Sequence, residues 1–375
     1  MINQKIKPKI IIVTPELSDN CGICRAISTL CYGISDKGNI IITNKFNSSS
    51  HKIPDNWKVF EVIPHNKILS IVYNAIYIKK CVGNQEIFIN THTLRSHLSA
   101  ILYKLFFNKK AKIISIVYDH NELKQKKLFD KIGFVLFSIA TKLNIVNLII
   151  VLDKKMETYT KNVLNISRIK ILRIGIHPNL IKNYRKKIIK RNSIILYFHG
   201  IIVPHRHLED VIESLKIVEE RINKKIIFLI SGYPRDKKYF KYLKNLSKKI
   251  KSKVYFIGSI SDKKLINNYI NCDIFLWPSV NQTWGLAPLE AMFFNKPVIV
   301  SYGSGVSEVL NNKISELIKP GSEKELSLAL IKLINNKKFR LKMGERSHKY
   351  VLKNMTYKNT ALEFNKILIN IEDIK

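Results

Sequence analysis

The chain reads as an α/β protein built from two doubly wound parallel sheets, and three observations predict it. Short apolar, β-branched runs recur along its length, continuous rather than alternating, as in strands buried on both faces. Amphipathic stretches long enough for helices separate them, the alternation of a βαβ series. One polar, basic stretch interrupts the series, dividing 375 residues into two halves of ordinary domain size.

Taken in order, KIIIVTPEL (9–17) is the first strand, the loop SDNCGIC (18–24) leaves it, and RAISTLCYGISDKG (25–38) reads as a helix ending at Gly38. NIIITNKF (39–46) is the next strand, followed by EIFINTH (86–92), AKIISIVYDH (111–120), NLIIVLD (147–153) and IKILRIG (169–175), with helical stretches between. Residues 131–153 match a membrane span in length, about 20 residues being needed. Lys142, Asn144 and Asn147 interrupt that stretch, and its second half is β-branched, so a helix followed by a strand is expected and no transmembrane helix.

PNLIKNYRKKIIKRN (178–192) carries no strand pattern and reads as the linker. A second series follows: SIILYFHG (193–200), KKIIFLISG (224–232), SKVYFIGS (252–259), NCDIFLWPS (271–279) and KPVIVS (296–301). The ending, from KKFRLKMGERSHKY onward, is helical in pattern. The expected parts are therefore residues 1–185, residues 186–355 and a terminal helix over 356–375.

Sixty-four Lys and Arg against 28 Asp and Glu give a formal charge of +36. Such a field attracts diphosphates, anionic membrane faces and nucleic acid. The basic residues recur in nearly every stretch of the chain, with no zinc-finger spacing and no aromatic RNA-binding strand, so specific nucleic-acid binding is not expected. Five cysteines, an odd number with no secretory signal ahead of them, point to a reduced, cytoplasmic protein. Cys21 and Cys24 form a CxxC, yet no second pair completes a zinc set.

The most informative stretch is NQTWGLAPLEAMFFNKPVIVSYGSGVSEVL, 281–310. It reads as a loop leaving a buried strand, a helix from Gly285 to Phe294, another strand and another loop. In an open α/β sheet ligands bind at the carboxyl ends of strands, where a helix N-terminus offers unpaired N–H groups to an anion. A diphosphate fits at Gly285 and Leu286, and Glu290, a turn and a half into the helix, is placed either to accept hydrogen bonds from a ribose diol or merely to offset the helix dipole.

This segment resembles the donor-site signature of the retaining glycosyltransferases of family 4. Trp284-Gly285-Leu286, Glu290-Ala291-Met292, Pro297-Val298-Ile299, Gly305 and Glu308 fall in register with that pattern. The resemblance implies the GT-B fold: two Rossmann-like doubly wound parallel-sheet domains facing a central cleft, with a C-terminal helix crossing back to the N-terminal domain. It implies transfer of a hexose from a nucleoside diphosphate sugar to an acceptor hydroxyl on a sugar, a lipid-linked or a protein-linked acceptor, with no cofactor beyond that co-substrate.

Site residues follow from the same register. Arg206, after Gly200 in YFHGIIVPHRH, stands at the second basic position of the family's phosphate loop, while Ile201 replaces the first arginine. A guanidinium there grips a diphosphate through paired donors. Gln282 and Thr283 lead into Trp284; Gln282 replaces the first glutamate of the family's pair and cannot act as a carboxylate nucleophile. Ser304 replaces the first glycine of a Gly-Gly pair. Gly258, Ser259 and Ile260 match the stretch whose backbone meets the nucleobase, and Gly22 the second glycine of the loop near the donor phosphates, with Cys21 in place of the first.

Tyr118 occupies the family's usual histidine position, leaving His120, beside Asp119, as the candidate to orient an acceptor hydroxyl, and Thr91-His92-Thr93 to line the acceptor side. The expected catalytic set is Gln282, Glu290, Arg206 and His120. No Asp-Xaa-Asp occurs, so no metal site is expected and helix amides with Arg206 carry the phosphate charge. The lysine-rich stretch 121–137 suggests peripheral attachment to the anionic inner face of a membrane. Two other readings stay open: a non-catalytic sugar-nucleotide binder, given Ile201, Gln282, Ser304 and Tyr118, and a basic nucleic-acid-binding protein.

Overall fold

In a computed structural model, described here for residues 9–18, 22–34, 38–47, 53–62, 66–119, 123, 127–182 and 192–372, the chain divides into two units. The first comprises Met1–Ile174 with Tyr357–Lys375 and the second Gly175–Thr356.

The first unit runs β1 (Lys9–Thr14), β2 (Leu17–Ser18), α1 (Gly22–Gly33), β3 (Asn39–Thr43), β4 (Phe46–Asn47), β5 (Trp57–Glu61), α2 (Lys67–Val82) and β6 (Ile87–His92). It continues through α3 (Leu94–Phe106), β7 (Lys112–Ile116), α4 (Leu128–Lys142), β8 (Leu148–Val151), α5 (Lys154–Leu164) and β9 (Ile169–Ile171). Seven strands form one parallel sheet in the order β5-β3-β1-β6-β7-β8-β9. Every residue of β3, β6 and β8 is buried, which is why the III of β3 and the LIIV of β8 read as unbroken apolar runs, while β6 buries polar Asn90, Thr91 and His92 at its end. The strand order reverses between β1 and β6, and a right-handed crossover from β5 to β6 puts α2, α3 and α4 together on one face of the sheet.

The second unit runs α6 (Pro178–Lys182), β10 (Ser193–His199), a 3₁₀ turn (Pro204–Arg206), α7 (Leu208–Arg221), β11 (Lys225–Ser231), α8 (Lys237–Ser247), β12 (Lys253–Gly258), α9 (Asp262–Asn271) and β13 (Ile274–Trp277). Then come α10 (Leu286–Phe293), β14 (Val298–Ser301), a 3₁₀ turn (Gly305–Val309), β15 (Glu316–Ile318), α11 (Glu323–Asn335) and α12 (Lys337–Asn354). Its sheet is also parallel, in the order β12-β11-β10-β13-β14-β15, so here the order reverses between β10 and β13. Local caps set the helix starts. Asp236 Oδ1 accepts from Tyr239 N at 2.9 Å ahead of α8, and Ser322 Oγ accepts from Glu325 N at 3.2 Å ahead of α11.

The last helix, α13 (Tyr357–Glu372), belongs to the first unit and lies on α1. The approach is close enough that a Cβ on Gly33 would stand 2.3 Å from Ala361 Cβ, and Thr360 Oγ1 donates to Arg173 O at 3.3 Å. Thus the C-terminal helix does return to the N-terminal domain.

Three details differ from the sequence reading. Helix α1 starts at Gly22 and ends at Gly33 rather than spanning 25–38, because Cys24, Ile27 and Cys31 form one buried stripe that draws the glycine turn into the helix. Strands β5 and β15 escaped notice: both are edge strands, and the polar residues of WKVFE and the brevity of ELI hide the apolar signal. Part of the expected linker is the short helix α6, and residues 183–191 lie outside the described residues. The segment 131–153 forms a helix followed by a strand, as expected, and among the described residues no helix is long and apolar enough to cross a membrane.

Candidate active site

Both sheets place chemistry where their strand order reverses, the position at which open α/β sheets form ligand crevices. In the second unit the loop after β10 carries Arg206 and the loop after β13 carries Ser279, and a hydrogen bond from Val280 N to His205 O (2.9 Å) ties the two loops together. Arg206 is 6% exposed. Its guanidinium carbon lies 4.8 Å from the centre of the Trp277 ring, Nη1 reaches Ser279 Oγ at 3.4 Å, and Nε has no hydrogen-bond partner among the described residues. Among the described residues no carboxylate forms an ion pair with it. Burial pulls its pKa down to about 10, so the charge is retained at neutral pH but held at a cost. A buried cation with an unused donor and no counter-ion among the described residues is suited to an anion.

The loop after β13 leads into α10, whose N-cap, Gly285, has no side chain to cap the first amides. A Cβ on Gly285 would stand 3.1 Å from Trp277 Nε1 and 3.3 Å from Val306 Cγ1, so the glycine lets this turn sit directly on the indole that also backs Arg206. Trp277 Nε1 itself is buried without a partner. The Gln282 carbonyl accepts from Gly305 N at 2.7 Å, and Gln282 pairs with Ser304 as an isolated bridge, which locks the 280s loop to the loop after β14. Ser304, in place of a glycine, donates from Oγ to Ser301 O at 3.0 Å. Thr283 and Trp284 are buried, while Gln282 and Leu286 are partly exposed at the mouth of the site.

Glu290 is 1% exposed and its Oε2 accepts from the Tyr269 hydroxyl at 2.8 Å. Tyr269, on α9, is held by Phe294, Phe275 and Tyr197, and meets His199 edge-on at the end of β10. Glu290 is thus more than a helix-dipole charge: a neighbouring phenol fixes its carboxylate.

Gly200 leaves β10 with its amide donating to Ser231 O at 3.0 Å. Behind it Gly232 (φ +138°) donates to the Gly258 carbonyl at 2.8 Å, and a Cβ on Gly232 would come within 1.8 Å of Gly200 O. Gly258 is left-handed at φ +67°, so its carbonyl serves the loop while Ser259 stays exposed and Ile260 partly so.

His207, also left-handed at φ +50°, places Nδ1 3.3 Å from Asp210 Oδ2 and 3.8 Å from Glu209 Oε1 at the start of α7. These three side chains are the group among the described residues whose donor atoms converge closely enough to hold a cation. Glu209 already accepts a hydrogen bond from Tyr239, and the two carboxylates stand in the first turn of α7, where they complement the helix dipole.

In the first unit, Gly22 opens α1, with open space where a Cβ would stand. Cys21 and His120 lie outside the described residues. Cys24 is one of four free cysteines among those described; its Sγ donates to Glu16 O and accepts from Ser18 N, both at 3.4 Å. At the reversal point, β6 ends in Thr91-His92-Thr93. Thr91 is spent internally, with Oγ1 2.7 Å from His97 Nδ1 and 3.0 Å from Ser115 Oγ. His92 Nδ1 lies 2.7 Å from the Tyr118 hydroxyl. That leaves His92 Nε2, Thr93 Oγ1 and Ser96 Oγ buried around the first turn of α3 without partners among the described residues. Thr93 has φ +116°, a conformation β-branched residues avoid and one that clusters at functional sites. Burial pulls His92 and His97 down to about 3, so both rings are neutral at pH 7.

The structure therefore gathers Gly200, Arg206, Gly258, Gln282–Leu286 and Glu290 around the carboxyl ends of one sheet. Sequence reasoning missed Trp277, Ser279, Tyr269 and Ser96. Trp277 reads as one more apolar strand residue, and Tyr269, four residues after Leu265 on the buried face of α9, as core.

Residues 181–350 match the family model described as glycosyl transferases group 1. An uncharacterized glycosyltransferase of Methanocaldococcus jannaschii, MJ1069, is 26% identical over 334 residues, covering 83% of this chain and 82% of its own. Among solved structures, sucrose-phosphate synthase from Thermosynechococcus elongatus aligns with a TM-score of 0.75 at 14% identity, covering 98% of this chain and all of that one. Anabaena Alr3699/HepE, solved in complex with UDP and glucose, aligns with a TM-score of 0.75 at 13% identity over 97% of this chain and all of its own. At such identities the structural likeness speaks to the fold, two parallel-sheet Rossmann-like domains. The chain thus has the GT-B fold, and over residues 181–350 it is similar to the glycosyl transferases group 1.

Proposed function

We propose that the chain is a retaining, family 4 hexosyltransferase that takes its sugar from a nucleoside diphosphate donor and delivers it, without a metal ion, to an acceptor hydroxyl. The observation that carries this reading is the buried Arg206 guanidinium, with an unpaired Nε and no described carboxylate partner, beside the uncapped start of α10. Arg206 and the amides of Leu286 and Ala287 hold the diphosphate. Glu290, fixed by Tyr269, accepts from the ribose hydroxyls; the backbone at Gly258, Ser259 and Ile260 meets the base; and Gln282 donates to the sugar hydroxyls. That Alr3699/HepE was solved with UDP and glucose supports a donor of this class.

As the anomeric C–O bond breaks, the electron pair passes to the leaving phosphate, and fixed donors aimed at that oxygen lower the barrier. Gln282 has no carboxylate with which to form a glycosyl-enzyme bond. The acceptor oxygen therefore bonds to the anomeric carbon from the face the phosphate leaves, and its proton goes to that phosphate. The lack of any Asp-Xaa-Asp supports a metal-free clamp. In the first unit, the neutral His92, with Thr93 and Ser96, suits an acceptor rich in hydroxyls rather than a charged one. The protein acts in the cytoplasm on a sugar, lipid-linked or protein-linked acceptor.

Product analysis with a nucleoside diphosphate hexose of known anomeric configuration tests the reading. Retention, turnover that persists in excess chelator, and a fall in kcat on Gln282→Ala are expected. Inversion, or turnover lost with the chelator, overturns it. Tight donor binding with no transfer and no hydrolysis would instead identify a non-catalytic sugar-nucleotide binder, the reading favoured by Gln282, Ile201, Ser304 and Tyr118.

A further inference from the structure

Helices α2 and α4, which flank α3 on one face of the first sheet, each carry an apolar stripe that faces solvent rather than the core. On α2 the stripe includes Ile68, Val72 and Ile76, spaced four apart; on α4 it includes Ile132, Leu136 and Ile139, and all six are exposed. Both helices already bury an opposite face: Ile71, Ala75 and Ile78 of α2, and Gly133, Phe137 and Ala140 of α4, pack inward. The outward stripes are therefore surplus to folding. Most of the large apolar side chains exposed among the described residues fall between Ile68 and Leu143, whereas those of the second unit are scattered singly. Patches of this kind mark interaction surfaces.

The charge around the stripes indicates what covers them. Residues 67–82 contain no Asp or Glu, and Lys79 and Lys80 close α2. Lys127 precedes α4, Lys131 and Lys142 lie on it, all three exposed, and Asp130 is its one acidic residue. Exposed Lys109 and Lys110 follow α3, whose last turn presents Phe106, 74% exposed. Apolar stripes fringed by lysines suit a surface that is apolar inside and negative at its rim, where acyl chains take up the former and anionic headgroups the latter. Like-charged rims oppose a second copy of the same basic face.

We infer that the exposed faces of α2 and α4 form a docking surface for an anionic lipid bilayer, lying in the headgroup plane without crossing it. This localises the attachment suggested by the sequence, adds α2 to it, and does not depend on the donor-site reading.

Flotation of the full-length protein with phosphatidylcholine vesicles, with and without phosphatidylglycerol, tests it. Binding is expected only when phosphatidylglycerol is present, weakening as salt is raised, and falling about tenfold or more in Val72→Glu/Ile76→Glu and in Ile132→Glu/Leu136→Glu. Because these positions are exposed, thermal unfolding and nucleotide affinity should stay at wild-type values. Arg206→Met should bind vesicles as wild type does, which separates this surface from the donor site. Equal binding to both vesicle types, no binding to either, or wild-type binding by both double variants overturns the proposal. So does a dimer, seen by light scattering, that the same variants dissociate.

Discussion

Replacing Arg206 by methionine separates a residue kept for folding from one kept for an anion. The guanidinium is buried on Trp277, with a hydrogen bond of 3.4 Å to Ser279 Oγ and, among the described residues, no partner for Nε. Burial holds its pKa at about 10, a fall worth about 3 kcal/mol against the charged form. Because a base with a lowered pKa binds its proton less well folded than unfolded, that cost is in full force below about pH 10 and is relieved only as pH rises beyond it. Methionine keeps the aliphatic packing and forfeits a cation–π contact worth about 1 kcal/mol. The ligand-free variant should therefore gain about 2 kcal/mol, raising its melting temperature by about 5 °C for a unit of this size. Affinity for a nucleoside diphosphate should move the other way, losing about 3 kcal/mol of charge-assisted hydrogen bonding, over a hundredfold. Differential scanning fluorimetry with and without nucleotide, alongside calorimetric titration, reads both. A variant less stable than wild type with unchanged nucleotide affinity would refute the reasoning, since Arg206 would then be a structural cation.

Three further outcomes follow. Glu290→Ala should weaken donor binding by about tenfold or more and cost about 1 to 3 kcal/mol of stability, because it leaves the Tyr269 hydroxyl buried without its acceptor; Glu290→Gln should recover the stability but not the affinity, as chemical denaturation and titration will show. Gly232→Ala should destabilise the second unit by several kcal/mol and abolish nucleotide binding, since its Cβ would lie 1.8 Å from Gly200 O at φ +138°; unaltered melting would contradict the close approach. His92 and His97, neutral in the folded chain with pKa values near 3, bind fewer protons than in the unfolded chain, so stability should fall as pH drops below the ordinary 6.5, by about 2 kcal/mol for each at pH 5. A His97→Gln variant should show a flatter fall in melting temperature between neutral pH and pH 5.

The first-order architecture was legible because buried parallel strands write themselves as unbroken apolar runs, of which the IIIV of KIIIVT and LIIV are examples. Edge strands do not, and WKVFE and ELI were accordingly missed. The candidate donor loop was legible through spacing: Arg206 and the 280s fall in a register that a family pattern anticipates. The residues that give the site its electrostatics were not. Trp277 and Tyr269 are apolar in type and buried, so in sequence they are indistinguishable from core, and only their contacts with Arg206 and Glu290 reveal them. In the segment Thr91–Thr93 the three adjacent residues looked equivalent, whereas the structure spends Thr91 on an internal network and leaves polar atoms of His92 and Thr93 unpaired among the described residues. The apolar stripe of α2 was invisible for the opposite reason: a helix with two apolar faces shows no sharp periodicity to tell which of them is buried.

The central claim is that main-chain amides at the start of α10 and the Arg206 guanidinium capture a diphosphate without a divalent cation. Calorimetric titration of a nucleoside diphosphate sugar into the chelator-treated protein and its Arg206→Met variant tests it most directly. The account predicts saturable binding to the wild-type protein in chelator, unchanged when magnesium or manganese is restored, and a loss of over a hundredfold in the variant. Binding that depends on the added cation, or that survives the substitution, would contradict it.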